Sequence, residues 1–244
     1  MSPMLRESLD GRMRETVRGF HYRGHHHVFR IESFSDAVFG FSLTLLVVSL
    51  EVPKSFADLL TTIGAFPAFA ASFALIAQIW YLQYRFFRRY GIEDGPTVAL
   101  NVMLLFVVVF FIYPLKFLFR LALSGGAPQG WSDADVLPLY SIYDSGYAAI
   151  FMIFILLYVH AYRKRRALAL NALELFDTKM QIFRSAFQIV VAAASLGSAA
   201  FFCARGECGI AAFAGGYAYP VLLAPGLTII GYVGGAKRRR LQTT

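Results

Sequence analysis

Six stretches of this chain are apolar over enough consecutive residues to cross a lipid bilayer. A hydrocarbon core about 30 Å thick requires roughly 20 mainly apolar residues in a helix. Hydrophobic residues make up 57% of the chain. Only 16% of its residues are charged, against about 25% in soluble domains. We therefore predict an all-α, polytopic membrane protein with six transmembrane helices, at residues 34–52, 62–84, 97–119, 139–161, 184–204 and 210–233.

The last two predicted spans differ from the other four. The fifth is rich in small residues, among them Ala192, Ser195 and Gly197. Small residues let helix backbones approach closely, so we expect this span to be buried against its neighbours. The sixth contains Pro220 and Pro225. Because proline removes a backbone donor inside a helix, the sixth span is predicted to be kinked or held open.

Basic residues alternate along the chain in step with the predicted spans. They concentrate in 1–30, 85–89, 163–184 and 237–240, and this pattern accounts for the net charge of +8. Cytoplasmic segments carry the excess of Lys and Arg, so both termini are predicted to be cytoplasmic, with an even number of crossings in the cell membrane. The segments between hold only Lys54, Lys116, Arg120 and Arg205.

Two basic segments flank a predicted transmembrane domain at 30–236. The N-terminal arm, 1–29, contains three adjacent histidines at 25–27, but no Cys or carboxylate with ligand spacing accompanies them. We interpret it as a solvated basic arm and not as a metal site. The C-terminal tail, 237–244, begins with KRRR. Such tails bind anionic lipid headgroups, so we expect the bilayer as the partner and no nucleic acid.

Charged and polar side chains open the first apolar stretch. Arg30, Ser35 and Asp36 are costly near lipid, so they either form a functional network or simply cap the helix. An acidic residue near a helix N-terminus also suits the helix dipole. Since an Arg beside a carboxylate makes charge-assisted hydrogen bonds, we expect these three residues to hold the first helix against the second and third spans.

Cys203 and Cys208 flank the last predicted outward loop. Disulfides persist in oxidising compartments, so this pair either bridges the fifth and sixth spans or remains as two separate thiols. Their spacing is not that of a zinc site.

The sequence contains no pattern typical of an enzyme. It has no glycine-rich phosphate loop, no HExxH, no GxSxG and no paired carboxylates within a span. We therefore predict no enzymatic activity and no cofactor.

A proton-driven carrier needs ionisable groups across the membrane, so a passive channel is favoured. The alternatives are a proton-permeable channel and a secondary transporter that uses the sixth span as a discontinuous helix.

The opening of the first helix carries a family resemblance. Arg30, the run Phe34-Ser35-Asp36 and the run Thr44-Leu45-Leu46-Val47 follow a pattern that resembles the transmembrane-protein-175 family of potassium channels, particularly its six-helix bacterial members. The resemblance implies a homotetramer that conducts K+ through a pore lined by the first helices. It extends to Trp80, Asn101, Leu104, Leu105 and Pro114.

The resemblance also assigns residues to two sites. A polar network is expected to combine Phe34, Trp80, Gln83 and Asn101 with the three residues at the start of the helix; Gln83 replaces a histidine common in bacterial relatives. Pore-lining positions fall on Phe41, Leu45 and Val48, with Thr44 beside them. Spacings of four and three place 41, 45 and 48 on one helical face. Periodicity alone would assign that face to lipid or to the bundle core.

One departure from the family concerns the first pore position. Relatives usually carry a branched aliphatic residue there, whereas this chain has Phe41 after Gly40. Apolar rings can gate a pore by dewetting. We expect them to pass K+ more easily than Na+, because K+ is less strongly hydrated.

Overall fold

The computed structural model describes residues 16–17, 20–21, 30–48, 54–123 and 132–242. In these residues the fold is helical apart from one antiparallel pair of two-residue strands, β1 (Thr16–Val17) and β2 (Phe20–His21). The all-α prediction is therefore confirmed outside that short pair. The helices are α1 (Arg30–Val48), α2 (Phe56–Gly64), α3 (Phe66–Tyr90), α4 (Gly95–Leu123), α5 (Val136–Arg163), α6 (Ala172–Ala204) and α7 (Cys208–Gln242).

Four helical segments of the described chain are long and apolar enough to cross a membrane. They coincide with four of the predicted spans, so the prediction of a multi-pass helical membrane protein is confirmed. A shorter apolar segment, Leu222–Ala236, lies within α7. The four long segments are Phe66–Tyr90, Gly95–Leu121, Asp133–Arg163 and Ala172–Ala204.

The helix α6 begins well before the predicted fifth span. Its start is fixed by a capping box: Asn171 Oδ1 accepts a hydrogen bond from the Glu174 amide at 2.8 Å, and Glu174 Oε2 accepts one from the Asn171 amide at 3.0 Å. The first turns are polar, so hydropathy alone placed the start too late. Further along, Ala192 and Ser195 are buried as expected, whereas Gly197 is exposed.

The helix α7 is not broken at its prolines. It runs as one helix through Pro220 and Pro225, so the span is not held open there, while the alternative of a kink stays a prediction. Membrane helices tolerate proline where neighbouring helices support them. Here α6 packs along α7, and a Cβ atom at Gly226 would lie only 2.3 Å from the Phe187 ring. The glycine therefore permits a close approach of the two helices.

The buried core lies between α3, α4 and α5 and sets the positions of the other helices. Ile79 on α3, Leu104 on α4 and Ile150 on α5 are fully buried. A Cβ atom at Gly146 would lie 2.7 Å from the Phe111 ring, so α4 and α5 approach closely at this point. Helix α1 packs against α3 and α4 on one side of this core. Helices α6 and α7 pack beyond α5, leaving α1 at the periphery of the chain.

Candidate functional site: helix α1 and its anchor

Helix α1 has one buried face and one exposed face. Its buried side chains, which are at most 2% exposed, recur at spacings of four, three and four residues. Residues at such spacings lie on one side of a helix, and this side faces α3 and α4. The buried side chains are Ser35, Phe39, Ser42 and Leu46.

A chain of hydrogen bonds ties the buried face to two neighbouring helices. Gln83 Nε2 on α3 donates to Asn101 Oδ1 on α4 at 3.1 Å. Asn101 Nδ2 donates to Ser35 Oγ on α1 at 2.8 Å. Ser35 Oγ in turn donates to the Ile31 carbonyl oxygen at 2.7 Å. We call Ser35, Gln83 and Asn101 the amide anchor. All three are buried, so each of these bonds satisfies a polar group that water cannot reach.

Asp36 belongs to a second, separate contact. Its Oδ1 accepts a hydrogen bond from Trp80 Nε1 at 2.7 Å. The Trp80 ring stacks on Tyr84, with ring centroids 5.8 Å apart. Asp36 itself is exposed, so this contact lies at the edge of the bundle. The predicted polar network therefore divides into a buried anchor and an exposed Asp36–Trp80 pair.

Arg30, also predicted to belong to the network, joins neither set among the described residues. It is exposed at the first residue of α1 and makes no ion pair with Asp36 in the described part of the chain. Six helical positions separate the two residues by about 240° of rotation and about 9 Å of rise. One helix cannot bring them together. Phe34, also placed in the network, is 56% exposed.

The predicted pore-lining residues are divided between the exposed face and its border. Phe41 is 60% exposed, and Thr44 is exposed as well. Thr44 Oγ1 donates to the Gly40 carbonyl oxygen at 2.9 Å. Leu45 is partly buried and lies at the border of the two faces. The side chain of Val48 is outside the described residues, although its backbone ends α1.

Cys203 and Cys208 are joined by a disulfide, with Cα atoms 4.3 Å apart. Because Cys203 lies near the end of α6 and Cys208 begins α7, the bond closes the turn between these helices.

A charged cluster that the sequence analysis did not anticipate joins the loop between α3 and α4 to the C-terminal end of α5. Asp94 Oδ2 lies 2.7 Å from His160 Nε2 and 2.6 Å from Lys164 Nζ. The Thr97 hydroxyl donates to Asp94 Oδ1 at 2.5 Å. Partial burial raises the pKa of the Asp94 carboxyl, but hydrogen bonds from Lys164, Thr97 and His160 outweigh it and hold that pKa well below its ordinary value. The Asp-Gly-Pro sequence at 94–96 was a helix-start signal that could have identified it.

No cluster of three or more His, Cys, Asp or Glu that could hold a metal ion occurs among the described residues. The histidines at 25–27 lie outside those residues. Neither of the two contact sets on α1 consists of metal ligands.

The chain is similar to known proteins across most of its length. A sequence model of the family described as the endosomal/lysosomal potassium channel TMEM175 matches residues 30–111, which include the whole amide anchor. A potassium channel from Marivirga tractuosa is 41% identical over 198 residues, covering 75% of this chain and 80% of the relative. A potassium channel from Chamaesiphon minutus is 32% identical over 151 residues, covering 59% and 70%.

Two solved structures also resemble this chain. The crystal structure of a variant of the potassium channel MtTMEM175, bound to a nanobody–MBP fusion protein, matches with a TM-score of 0.73 and 34% identity. That match covers 89% of this chain and 97% of the other. A lysosomal potassium-selective channel TMEM175 homolog from Chamaesiphon minutus matches with a TM-score of 0.51 and 28% identity, covering 77% and 95%.

Proposed function

This chain belongs to the TMEM175 family of potassium channels, and we propose that it conducts K+ through a pore lined by α1. One observation carries the assignment of α1: the helix is anchored on one face and open on the other. The amide anchor fixes its rotation against α3 and α4. Its opposite face carries Phe41 and Thr44, which are both exposed in the described part of the chain.

The exposed face of α1 requires further copies of the chain to form a pore. A single helix at the periphery of a bundle cannot enclose a conduction path. The family resemblance implies four copies. In a homotetramer, Phe41, Leu45 and Val48 form three apolar rings around the axis.

Thr44 adds oxygen ligands to this otherwise apolar path. Because its hydroxyl proton is donated to the Gly40 carbonyl, the remaining lone pairs of Oγ1 are available to a passing cation. A ring of such oxygens could replace part of the hydration shell of K+, while the apolar rings dewet when narrow. This arrangement needs no backbone filter of the TVGYG kind.

The membrane topology that we propose has six crossings and two cytoplasmic termini. Helices α1 and α7 add the first and last crossings to the four long apolar segments. The alternation of basic segments supports this orientation and a location in the cell membrane. We retain 1–29 as the basic arm, 30–236 as the channel domain and 237–244 as the basic tail. Helix α7 continues into that tail as far as Gln242.

Ion flux into liposomes tests the channel assignment. Purified protein in potassium-loaded liposomes is expected to pass K+ faster than Na+ without an added driving ion. Current should reverse near the K+ equilibrium potential. A flux that depends on a second, coupled ion would instead indicate a transporter. The transporter alternative requires a discontinuous helix in the sixth span, and α7 is continuous.

A further inference from the structure

A partly open cavity of about 230 Å³ lies between α3, α5 and α6, away from α1. Helices α3, α5 and α6 each contribute a stripe two turns long, and Leu227 of α7 closes one side. Two arginines, Arg85 and Arg184, contribute to its polar wall, and both belong to basic segments predicted to be cytoplasmic, so the cavity lies at that end of the bundle. Its polar side chains include Gln78, Arg85, Tyr158, Gln181, Arg184 and Gln188.

Neither cavity arginine is neutralised by an ion pair within the described residues. Arg184 is partly buried, and its buried Nε atom makes no hydrogen bond there. The guanidinium of Arg85 lies over the Tyr81 ring, 5.7 Å from its centroid. Arg85 and Arg184 are close enough to repel each other. The carboxylate of Asp177 also acts on Arg184, but Arg238 already holds it.

Arg238 binds Asp177 through a salt bridge, with Nη2 and Oδ2 3.1 Å apart, and through a hydrogen bond from Nε of the same length. This pairing leaves an excess of positive charge at the cavity. A partly buried guanidinium without an opposing charge is costly, and a bound anion or solvent compensates that charge. The positive charge repels K+, so the cavity does not continue the conduction path.

The other polar groups of the wall are suited to donate hydrogen bonds. Gln188 Oε1 accepts a hydrogen bond from the Tyr147 hydroxyl at 2.7 Å, so its amide nitrogen remains as a donor. The buried Tyr158 hydroxyl lies beside Gln181 without a hydrogen bond of normal geometry. Guanidinium, amide and hydroxyl donors around one space form a set that matches an oxyanion.

We propose that this cavity binds a phosphate group, held between Arg85 and Arg184. Arg guanidinium groups bind phosphate oxygens in a bidentate manner. The volume is ample, since a cavity of about 150 Å³ already holds benzene. The group is either free inorganic phosphate or the headgroup of an anionic phospholipid. This site is independent of the proposed pore, because α1 does not line it.

Thermal unfolding of the full-length protein in nanodiscs tests the site. One arm titrates inorganic phosphate into phosphatidylcholine nanodiscs at constant ionic strength. The other arm replaces part of the phosphatidylcholine with phosphatidylglycerol. A saturable rise in Tm in the first arm identifies free phosphate. A rise in the second arm alone identifies the lipid headgroup.

Substitutions locate the binding. Arg184→Gln should weaken binding of the effective probe by about tenfold or more, because a charge-assisted hydrogen bond is lost, and Arg85→Gln should act in the same direction. Arg88→Gln is the matched control: Arg88 lies over Tyr84 on the same helix, as Arg85 lies over Tyr81, but it does not line the cavity. If the Arg184→Gln variant does not fold, the loss of probe binding is measured in the Arg85→Gln variant instead.

The proposal is overturned if neither probe raises the Tm of the unmodified protein, or if Arg88→Gln weakens binding as much as the cavity substitutions do. Potassium flux is measured in parallel. Loss of phosphate binding with K+ selectivity retained separates this site from the proposed pore, and absence of K+ flux with phosphate binding intact would contradict only the pore.

Discussion

At the scale of single residues, the position of α1 depends on amide groups that have few alternative partners. Asn101 uses its carbonyl oxygen toward Gln83 and its amide nitrogen toward Ser35, so one side chain connects three helices. Its full burial means that water cannot replace either bond. The rotation of α1, and therefore the choice of the face that meets other copies, is set largely at this point.

Replacing Asn101 with leucine should destabilise the channel strongly. The substitution leaves the buried Gln83 amide nitrogen unpaired, at about 1–3 kcal/mol, and removes the hydrogen bond that Ser35 Oγ accepts, although Ser35 still donates to the Ile31 carbonyl oxygen. We expect a lower Tm and a lower yield of assembled oligomer by size-exclusion chromatography in detergent. As a control, Trp80→Phe removes the hydrogen bond to the exposed Asp36 and should cost only about 0.5–1.5 kcal/mol. Equal losses in both variants would argue against a special role of the anchor.

The Asp94 cluster gives a pH-dependent prediction. The folded-state pKa of Asp94 is lowered, so its contribution to stability is present above the unfolded pKa of about 3.9 and is lost as pH falls through the folded value. Asp94→Asn should lower stability at pH 7 by about 1–3 kcal/mol. The difference from the unmodified protein should persist at pH 5 and shrink below about pH 4. A difference that instead grew with acidification in thermal unfolding would contradict this sign.

At the scale of helices, hydropathy located the spans better than it located their ends. The four long apolar segments were predictable because about 20 apolar residues are a strong signal. The start of α6 was not predicted, although Asn171 and Glu174 have the three-residue spacing of a capping box in the sequence. The continuity of α7 through Pro220 was not predictable either, because proline in a sequence predicts a break and no local pattern reports that α6 packs along α7.

The turn between α6 and α7 yields a test of the cysteine pair. We expect the disulfide between Cys203 and Cys208 to be present in protein that matures in an oxidising compartment. Thiol titration of denatured, unreduced protein should find no free thiol, and reduction should release both. Two reactive thiols before reduction would show that the pair is open in the cellular protein.

At the scale of the whole molecule, the exposed face of α1 is the feature that one chain leaves incomplete. The anchor on the opposite, buried face was predictable in part: the resemblance placed Ser35, Gln83 and Asn101 in one network, and the structure brings these three together. Arg30, which the resemblance also placed in that network, is exposed and lies six helical positions from Asp36. Sequence periodicity alone could not choose the pore face, since both faces of α1 carry apolar residues and only tertiary contacts distinguish them.

The central claim, that α1 lines the K+ pore, is tested most directly by reversal potentials with K+ on one side and Na+ on the other. A polar ring eases hydration of an apolar constriction, so Leu45→Asn, and to a smaller extent Phe41→Asn, should raise Na+ permeability relative to K+ and shift the reversal potential toward zero. The matched control is Leu43→Asn, since Leu43 packs against the core on the other border of α1. It should reduce assembly and leave the reversal potential of the remaining channels unchanged. Reversal potentials unaffected by substitution at both 41 and 45 would contradict the account and remove α1 from the pore.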